Sequence, residues 1–398
     1  MTKNTLLTFI AFTLMIFSIN AQYGWKKASF PGLPRDGAAT FSIGNKGYVC
    51  GGEGNGNLKD CWEFDQSGNK WKRIADMPAE RAFGSGFSIG SKGYVVLGTE
   101  TSLSDMKKTL WEYNSLIDSW NLKAEFPGAS RFAAGCFVIN SKAYVGAGFD
   151  LFGSFPKDFY EYNPSNNTWN PKANILYGTN FPACFSFGSK GYLMETDALH
   201  TFEYDPIKDK WLAKANFPGS SRTGTASFII DGIAYVGQGS KPDHSEFYND
   251  FYTYHVGTDT WSSAITNCPM TNRCWASGMT IGTKGYIGLG VDSLSNHPSE
   301  WWEFDPSLAG ITWDVGKNKE VSIYPNPTSC NITIELNENT FQNSSISISN
   351  ILGNVLWKDG EAKSRSINLD LKSLVFVPGI YFIGLENEQL MQKVILTN

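Results

Sequence analysis

Histidine and carboxylate side chains lie near one another at three places in this sequence of 398 residues. Three of the four histidines have acidic neighbours: His200, His244 and His297. The neighbours are Glu195, Asp197, Asp243, Glu246 and Asp292. Imidazole and carboxyl groups can transfer protons near neutral pH or bind metals. Because their spacing matches no compact metal-ligand motif, we expect neither a metal nor another cofactor. An acid–base site and solvated loop residues both fit the pattern, and solvated loop residues are the commoner case.

Arginine recurs once in most segments of about 50 residues, at Arg35, Arg81, Arg131, Arg222 and Arg273. A guanidinium group has five N–H donors in a planar fork, so a buried arginine can bond several loop carbonyls at once. This regular recurrence predicts a structural role. The candidates for a catalytic pair of arginine and acid are Arg81, Arg131, Arg222 and Arg273 with Glu195.

Tryptophans mark an internal repeat, at positions 25, 71, 120, 169, 211, 261 and 313, with spacings by subtraction of 46, 49, 49, 42, 50 and 52 residues. Each unit has a Trp-led strand, a Phe/Met-Pro break, the arginine, and a Gly/Asn hairpin turn such as 44–47. A second strand ends in glycine, and a loop leads to an aromatic-Glu-aromatic strand such as 62–64. Such a period suits four short strands per unit.

These features resemble the Kelch repeat, in the arginine, the glycine-ended second strand and the later Tyr/Trp pair. The resemblance covers about 290 residues and implies an all-β, six-bladed β-propeller over residues 22–315. Unit four departs from the pattern, because it lacks the proline and the arginine and has Asn180 there. We expect a specialised site at this blade.

The spacing of the units predicts how the ring closes. The third strand begins nine residues before the next tryptophan in five units, but eleven residues before Trp313. Trp25 opens a segment like the regular ones. We therefore predict that the Trp25 strand is the outer strand of blade six and that Trp313 is peripheral.

Kelch propellers resemble one another in binding through the loops that precede the first strand and those that join the second and third strands. The second set is long here: 53–60, 99–109, 149–158, 240–250 and 291–300. Four aromatic residues follow the arginine position: Phe83, Phe132, Phe181 and Trp275. If they face the central opening, they form an aromatic floor for a sugar or a protein anchor. The alternative is packing between blades.

Seven cysteines leave at least one thiol unpaired. Cys50 and Cys61 flank one loop, and Cys268 and Cys274 flank another. Each pair could form a disulfide in an oxidising compartment or be buried as free thiols. Cys136 and Cys184 take a position that is small in every unit, which indicates packing.

Composition excludes one class of partner. The net charge is -5, only 18% of residues are charged, and lysine and arginine form no cluster. Because phosphate binding needs a concentrated basic surface, we expect no nucleic-acid partner.

Both ends of the chain carry transport signals. Residues 1–21 have a charged start, a short apolar run and a small residue before the expected cut, which is typical of a signal peptide. We expect no membrane span in the mature protein.

Residues 316–398 predict a small β-sandwich. Its carrying motifs are Tyr-Pro-Asn-Pro (324–327), a central Leu-Gly, a Pro-Gly-x-Tyr strand and a lysine-led final strand. They resemble the C-terminal sorting domain of the type IX (Por) secretion system of Bacteroidota. The resemblance implies contact with that machinery through residues 321–398, and a secreted or cell-surface protein.

Function is predicted at two levels. We expect a monomeric, exported binding module for glycans or proteins, with a ligand contacted by Phe83, Phe132, Phe181, Trp275, His200, His244 and His297. The alternative is a sialic-acid (N-acetylneuraminate) mutarotase or epimerase, since similar enzymes are six-bladed Kelch proteins. That activity would need an arginine beside an acid in the central cavity.

Overall fold

The computed structural model describes residues 25–262, 268–306, 321–324, 328–336, 345–350, 355–361, 366–371, 376, 379–385 and 390–396. The expected signal peptide and Trp313 lie outside these ranges. Within them, no helix has the length and hydropathy that crossing a membrane requires.

Six antiparallel four-stranded sheets, here named blades one to six, follow one another along the chain. Their strands are given from the first, innermost strand to the fourth, outer one. Blade one has Ala39–Ile43, Lys46–Cys50, Cys61–Asp65 and Lys70–Ile74; blade two has Ser85–Ile89, Lys92–Val96, Leu110–Asn114 and Ser119–Leu122. Blade three has Gly135–Ile139, Lys142–Gly146, Phe159–Asn163 and Thr168–Lys172; blade four has Ala183–Phe187, Lys190–Glu195, His200–Asp205 and Lys210–Ala213. Blade five has Ala226–Ile230, Ile233–Gly237, Phe251–His255 and Thr260–Trp261; blade six has Ser277–Ile281, Lys284–Gly288, Glu300–Phe304 and Trp25–Ser29.

Short two-residue strands lie at the loop end of three blades. Glu53–Gly54 pairs with Gly56–Asn57, Arg131–Phe132 with Phe149–Asp150, and Arg273–Cys274 with Val291–Asp292. The last two pairs join the arginine segment to the loop between the second and third strands, so both predicted loop sets meet on one face. We name this the loop face.

Glycine lets the blades approach closely. A Cβ atom added at Gly93 would overlap the ring of Phe41 in the neighbouring blade, and one at Gly191 would overlap Phe137. The hairpin glycines are required for their backbone conformation and not for close packing. Gly44 has φ of 58° with no atom near its missing Cβ, so the backbone conformation alone favours glycine there.

In blades two to five the repeated tryptophan bonds the preceding blade. The Trp120 indole N–H donates to the carbonyl of Ala75, at 2.9 Å. The Ala75 amide and the Tyr113 hydroxyl both donate to the carboxylate of Asp118, each at 2.8 Å. The same tryptophan bond recurs at Trp169, Trp211 and Trp261. Blades two to five therefore share this hydrogen bond, whereas the indole N–H groups of Trp25 and Trp71 are buried without a partner.

Ring closure agrees with the prediction from spacing. Strand Trp25–Ser29 pairs antiparallel with Glu300–Phe304, with Trp25 opposite Phe304. The Trp25 ring also packs on Phe251 of blade five, at 5.7 Å between centroids. The first strand of the described chain thus completes the last blade, as predicted.

The C-terminal segment has two sheets. The first contains Val321–Tyr324, Asn331–Leu336 and Ser366–Asp370, and the second contains Ser345–Asn350, Val355–Glu361, Gly379–Leu385 and Leu390–Leu396. Their inner faces share one apolar core, in which Ile334 of the first sheet and Ile348 of the second are fully buried. This is the arrangement of a β-sandwich.

Candidate functional site

The recurring arginines hold the base of the loops. Their guanidinium groups are at most 2% exposed, and Nη1 of Arg131 donates to the Ala147 carbonyl at 3.1 Å. Arg131 also makes a two-bond ion pair with Asp158, at 2.6 and 3.0 Å. Arg35 and Arg222 repeat both kinds of contact with Asp60 and Asp250 as the acids, and Arg273 bonds the Leu289 carbonyl and makes a one-bond ion pair with Glu300. The predicted bonding of loop carbonyls is confirmed, and these guanidinium groups are taken up by the protein itself.

Arg81 is the exception. Thr109 stands where the other blades have an acid, and its hydroxyl accepts the one hydrogen bond assigned to the Arg81 side chain, at 3.0 Å. Nη1 of Arg81 is buried without a partner. Burial lowers the pKa of this guanidinium group. Blade two therefore contains a buried cation that lacks the carboxylate of its sister sites.

One residue from each blade forms a ring around the propeller axis. All six have positive φ: Gly37, Phe83, Ala133, Phe181, Gly224 and Trp275, with φ between 48° and 65°. Their amides bond from blade to blade, as from Phe83 to the Gly37 carbonyl at 2.8 Å and from Ala133 to Phe83 at 2.9 Å. Such a ring points six side-chain positions at the axis.

Large and small residues alternate at these six positions. The rings of Phe83, Phe181 and Trp275, which we name the axial triangle, lie 5.7 Å apart along every edge. Gly37 and Gly224 make room for it, since a Cβ at Gly224 would be 2.7 Å from Trp275. Phe132 packs beside the triangle, 5.8 Å from Phe83. The four predicted aromatics thus meet at the axis, with Phe181 and Trp275 partly exposed.

The axial triangle separates the loop face from a central channel. A cavity of about 150 Å³ lies at the six ring residues, next to Ala38, Gly84 and Ala134. A larger one of about 400 Å³ follows the innermost strands and is lined by small and hydroxyl side chains such as Thr40, Ser88 and Thr280. The aromatic side chains therefore close the channel at its loop end.

His297 faces a carboxyl group that the sequence analysis did not select. Its Nε2 atom lies 3.4 Å from Oδ2 of Asp36, across the junction of blades six and one. Asp36 is 4% exposed, and its Oδ1 atom is buried without a hydrogen-bond partner. Burial raises the pKa of Asp36 to about 7, and the nearby Glu53 adds to the shift. A carboxyl group in this state can exchange a proton at neutral pH.

His244 lies on the blade five loop against the axial triangle. Its ring contacts Trp275 edge to face, at 5.2 Å between centroids, and its Nδ1 atom bonds the Ser240 hydroxyl at 2.7 Å. Cys274, the residue before Trp275, is a fully buried thiol. Burial raises the pKa of Cys274 to about 12, and the Asp36 carboxylate adds to the shift. His244 thus lies beside Trp275 of blade six, whereas His297 lies at the junction of blades six and one.

His200 belongs to a separate cluster on blade four. Its Nδ1 atom lies 2.9 Å from Oε2 of Glu195, and its ring stacks on Tyr177 at 4.9 Å. Burial raises the pKa of Glu195, against the opposing effect of His200. Burial also raises the pKa of Asp197. Blade four thus carries a short acidic turn beside His200, and the specialised site expected at this blade stays a prediction.

The sequence analysis placed the arginine position of blade four one residue too late in the chain. Thr179, rather than Asn180, takes the arginine position, because its carbonyl accepts from Gly148 at 2.7 Å as the Arg131 carbonyl accepts from Gly98 at 2.9 Å. The missing proline and arginine removed the markers that would have fixed the alignment.

The six cysteines of the propeller form no disulfide in the structure: Cys50, Cys61, Cys136, Cys184, Cys268 and Cys274. Cys50 and Cys61 lie directly opposite each other on paired strands, both fully buried. Cys268 instead accepts a hydrogen bond from Gln238. Among the residues that the structure describes, no three His, Cys, Asp or Glu side chains are placed to hold a metal ion.

Comparison with known proteins finds two family models in the chain. A Kelch motif matches residues 34–78, and a secretion system C-terminal sorting domain matches residues 322–397. The sorting domain places the protein among those exported by the type IX system to the cell surface or the extracellular space.

Curated relatives match only in part. An N-acetylneuraminate epimerase of Yersinia enterocolitica is 39% identical over 64 residues, 14% of this chain and 16% of that protein. One of Escherichia coli O157:H7 is 33% identical over 111 residues, 27% of each. The chain thus spans about a quarter or less of these relatives in the matched segments.

A solved structure agrees over a larger part of the chain. The structure titled "Structure of YjhT" superposes with a TM-score of 0.60 and 16% identity, and covers 69% of this chain and 95% of that one. At this identity the likeness concerns the fold. The chain is a Kelch-type β-propeller protein that carries a C-terminal sorting domain of the type IX secretion system.

Proposed function

We propose that the exported propeller binds carbohydrate on its loop face. The observation that carries this proposal is the axial triangle of Phe83, Phe181 and Trp275, with Phe132 beside it, flanked by histidine–carboxylate pairs. Flat aromatic faces pack against the apolar faces of sugar rings, and polar side chains at their edge fix the hydroxyl groups.

Exposed aromatics extend this surface over blades three and four. Tyr177 is 51% exposed and stacks on His200, and Phe152 is 90% exposed in the blade three loop. Phe149 links that loop to Phe132, at 5.5 Å between rings. Phe83 and Phe132 are buried, so the rings available to a ligand are Phe181 and Trp275 at the axis and Phe152 and Tyr177 farther out, which favours a ligand of several sugar units over a single small molecule.

Export determines which ligands the loop face can encounter. A protein outside the cell meets glycans, and a rigid ring of blades holds variable loops in place for recognition. A glycan is favoured over a protein ligand because the loop face mixes aromatic rings with titratable groups, and because the curated relatives are named for a sugar acid.

A glycan array with the exported protein tests the proposal. We expect binding that falls at least tenfold in Tyr177→Ala, because that ring is exposed on the loop face. Phe187→Ala is the matched control, since Phe187 is also exposed but ends the first strand of blade four, away from the loops. Absence of glycan binding, or equal loss in both variants, would contradict the proposal.

A second candidate is an N-acetylneuraminate epimerase or mutarotase. Two observations favour it: the curated relatives carry this name, and carboxyl groups with raised pKa lie beside His297 and His200. The arginine–acid centre expected for it has weaker support, because Arg131, Arg222 and Arg273 are bonded to the protein's own acids. NMR of anomer exchange in N-acetylneuraminate tests it, and an unchanged rate would reject it.

A further inference from the structure

We propose that Cys50 and Cys61 form a disulfide between the second and third strands of blade one in the exported protein. The bond joins Lys46–Cys50 to Cys61–Asp65 at the end of these strands that carries loop 53–60. In the structure both residues are thiols, which is the state that precedes the bond. The proposal concerns a covalent modification and is independent of the ligand on the loop face.

The register of the two strands brings the cysteines face to face. Cys50 and Cys61 are direct Cα partners. At the next pair, the Gly51 amide donates to the Asp60 carbonyl at 3.0 Å. Because bonded and non-bonded pairs alternate along an antiparallel ladder, Cys50 and Cys61 form a non-hydrogen-bonded pair, whose Cα atoms are about 4.5 Å apart. This separation lies within the range of about 4.4–6.8 Å that a disulfide spans.

The two thiols also lie on the same side of the blade and away from water. Direct partners on antiparallel strands point to the same face of the sheet. Both cysteines are 0% exposed and belong to one apolar core, which they share with residues of blade two such as Tyr113. The Cys61 thiol has only a weak bond to give up, to the Lys59 carbonyl at 3.7 Å. Both thiols therefore point into the same buried space.

Packing alone does not require cysteine at these two positions. The facing pair at the same place in every other blade contains at least one large apolar side chain: Val96 and Leu110, Gly146 and Phe159, Met194 and Thr201, Gly237 and Phe251, and Gly288 and Trp301. Blade one has two small thiols instead. The bond that the two thiols can form explains why they replace a packed apolar pair.

The other cysteines of the propeller do not oppose one another. Three lie on paired strands opposite aliphatic residues: Cys136 opposite Val145, Cys184 opposite Leu193, and Cys274 opposite Val291. Cys268 accepts a hydrogen bond from Nε2 of Gln238 at 3.5 Å. Cys50 and Cys61 are therefore the one pair of direct strand partners among these six cysteines.

The oxidant is the disulfide of a thiol–disulfide oxidoreductase outside the cytoplasm, where protein disulfides form and persist. The thiolate of one cysteine attacks a sulfur atom of that disulfide, and a mixed disulfide forms as the other sulfur leaves as a thiolate. The second cysteine then attacks the sulfur of the first and releases the oxidoreductase. Cys50 and Cys61 lose two electrons and two protons, and the oxidoreductase gains them as a dithiol. Because both thiols are buried in the folded blade, the exchange precedes closure of the blade.

The bond would close the base of one loop of the loop face. Arg35 already holds this base, since its Nη1 atom donates to the Gly51 carbonyl at 2.9 Å and to the Asp60 carboxylate at 2.6 Å. Gly51 and Asp60 are the residues next to the two cysteines. The disulfide therefore adds a covalent restraint beside the ion pair, and loop 53–60 keeps its position when that pair is weakened by salt.

Peptide mapping of the exported protein tests the proposal. The protein is purified without reductant, its thiols are blocked with iodoacetamide in denaturant, and it is cut with trypsin. We expect peptides 47–59 and 60–70 to be linked and lighter than the two free peptides by two hydrogen atoms, and to separate after reduction. Alkylation of both Cys50 and Cys61 without prior reduction would overturn the proposal, as would a link from either residue to another cysteine.

Thermal unfolding with and without reductant gives a second readout. The loop that the bond closes is short, so reduction should lower the Tm of the wild type by about 5 °C. The double variant Cys50→Val with Cys61→Leu, which has the facing pair of blade two, should show no such shift. Cys136→Ala with Cys184→Ala is the matched control and should keep it. A shift that is absent from the wild type, or that persists in the Val/Leu variant, would contradict the assigned bond.

Discussion

At the scale of single residues, buried charge is distributed unevenly among blades that are otherwise alike. Asp36 is a buried carboxyl group beside a histidine, and Arg81 is a buried guanidinium group without an acid. At the equivalent positions of the other blades no charged group is left without a partner, so both residues are exceptions to the repeat. In a repeated structure the equivalent positions of the other blades show which residues packing alone requires. Each exception can therefore be tested by a substitution that restores the residue pattern of those blades.

Asp36→Asn should remove a pH dependence of stability. The pKa of Asp36 is about 7 when folded, against 3.8 for the ordinary group. Protonation favours the folded state, so this contribution is present below pH 4 and is lost as the pH rises through 7. Between pH 5 and pH 8 the wild type should lose about 2–3 kcal/mol more than the variant, because part of the stabilisation is already lost by pH 5. Urea unfolding at both pH values measures this, with Asp76→Asn as a control at a surface ion pair with Arg73, and parallel losses would contradict it.

Thr109→Asp should stabilise blade two. Thr109 has the register of the other acids, because its carbonyl accepts from Leu97 as the Asp60 carbonyl accepts from Gly51. A carboxylate there can pair with Arg81 and add about 1–2 kcal/mol to the free energy of unfolding. Denaturant unfolding checks the gain. It should vanish when Arg81→Met is also present, and a gain that persists would show another cause.

At the scale of elements, the strand Trp25–Ser29 joins the two ends of the ring. Its place could be predicted because the strand must supply the same apolar contacts as the other outer strands, and only the segment at Trp25 keeps the regular spacing. The axial triangle could be predicted only in part. The sequence shows aromatics after the arginine position in four of the six units, but the alternation of large and small residues becomes visible only once six positive-φ positions are aligned in space.

Trp25→Ala should open the ring. The indole is 6% exposed and packs on Phe251 and Phe304 of two blades. Its loss removes a large apolar contact at the closure and should lower the free energy of unfolding by about 3–5 kcal/mol. Lys27→Ala is the control on the same strand, because that side chain is exposed and pairs with Glu300 at the surface. Equal stability of the two variants would contradict a closing role.

At the scale of the whole molecule, the repeat and the tail were readable because both depend on local signals: turn glycines, alternating strands and short motifs. Only some residues of the candidate site could be predicted from the sequence. His244, His297 and Trp275 stood out by residue type, but Asp36 did not, since 261 positions separate it from His297 by subtraction and only ring closure brings them together. In the structure each of Arg131, Arg222 and Arg273 is paired with an acid of the protein and is not available to bind a ligand. The sequence alone does not show which acid pairs with which arginine.

The location of the ligand is the central claim, and photo-crosslinking tests it most directly. A bound glycan carrying a diazirine group is irradiated on the exported protein, and the labelled peptides are identified by mass spectrometry. We predict labels on loops 149–158, 240–250 and 291–300 and on the segment around Tyr177, with competition by unlabelled glycan. Competed labels confined to the outer strands or to the sorting domain would contradict a binding site on the loop face.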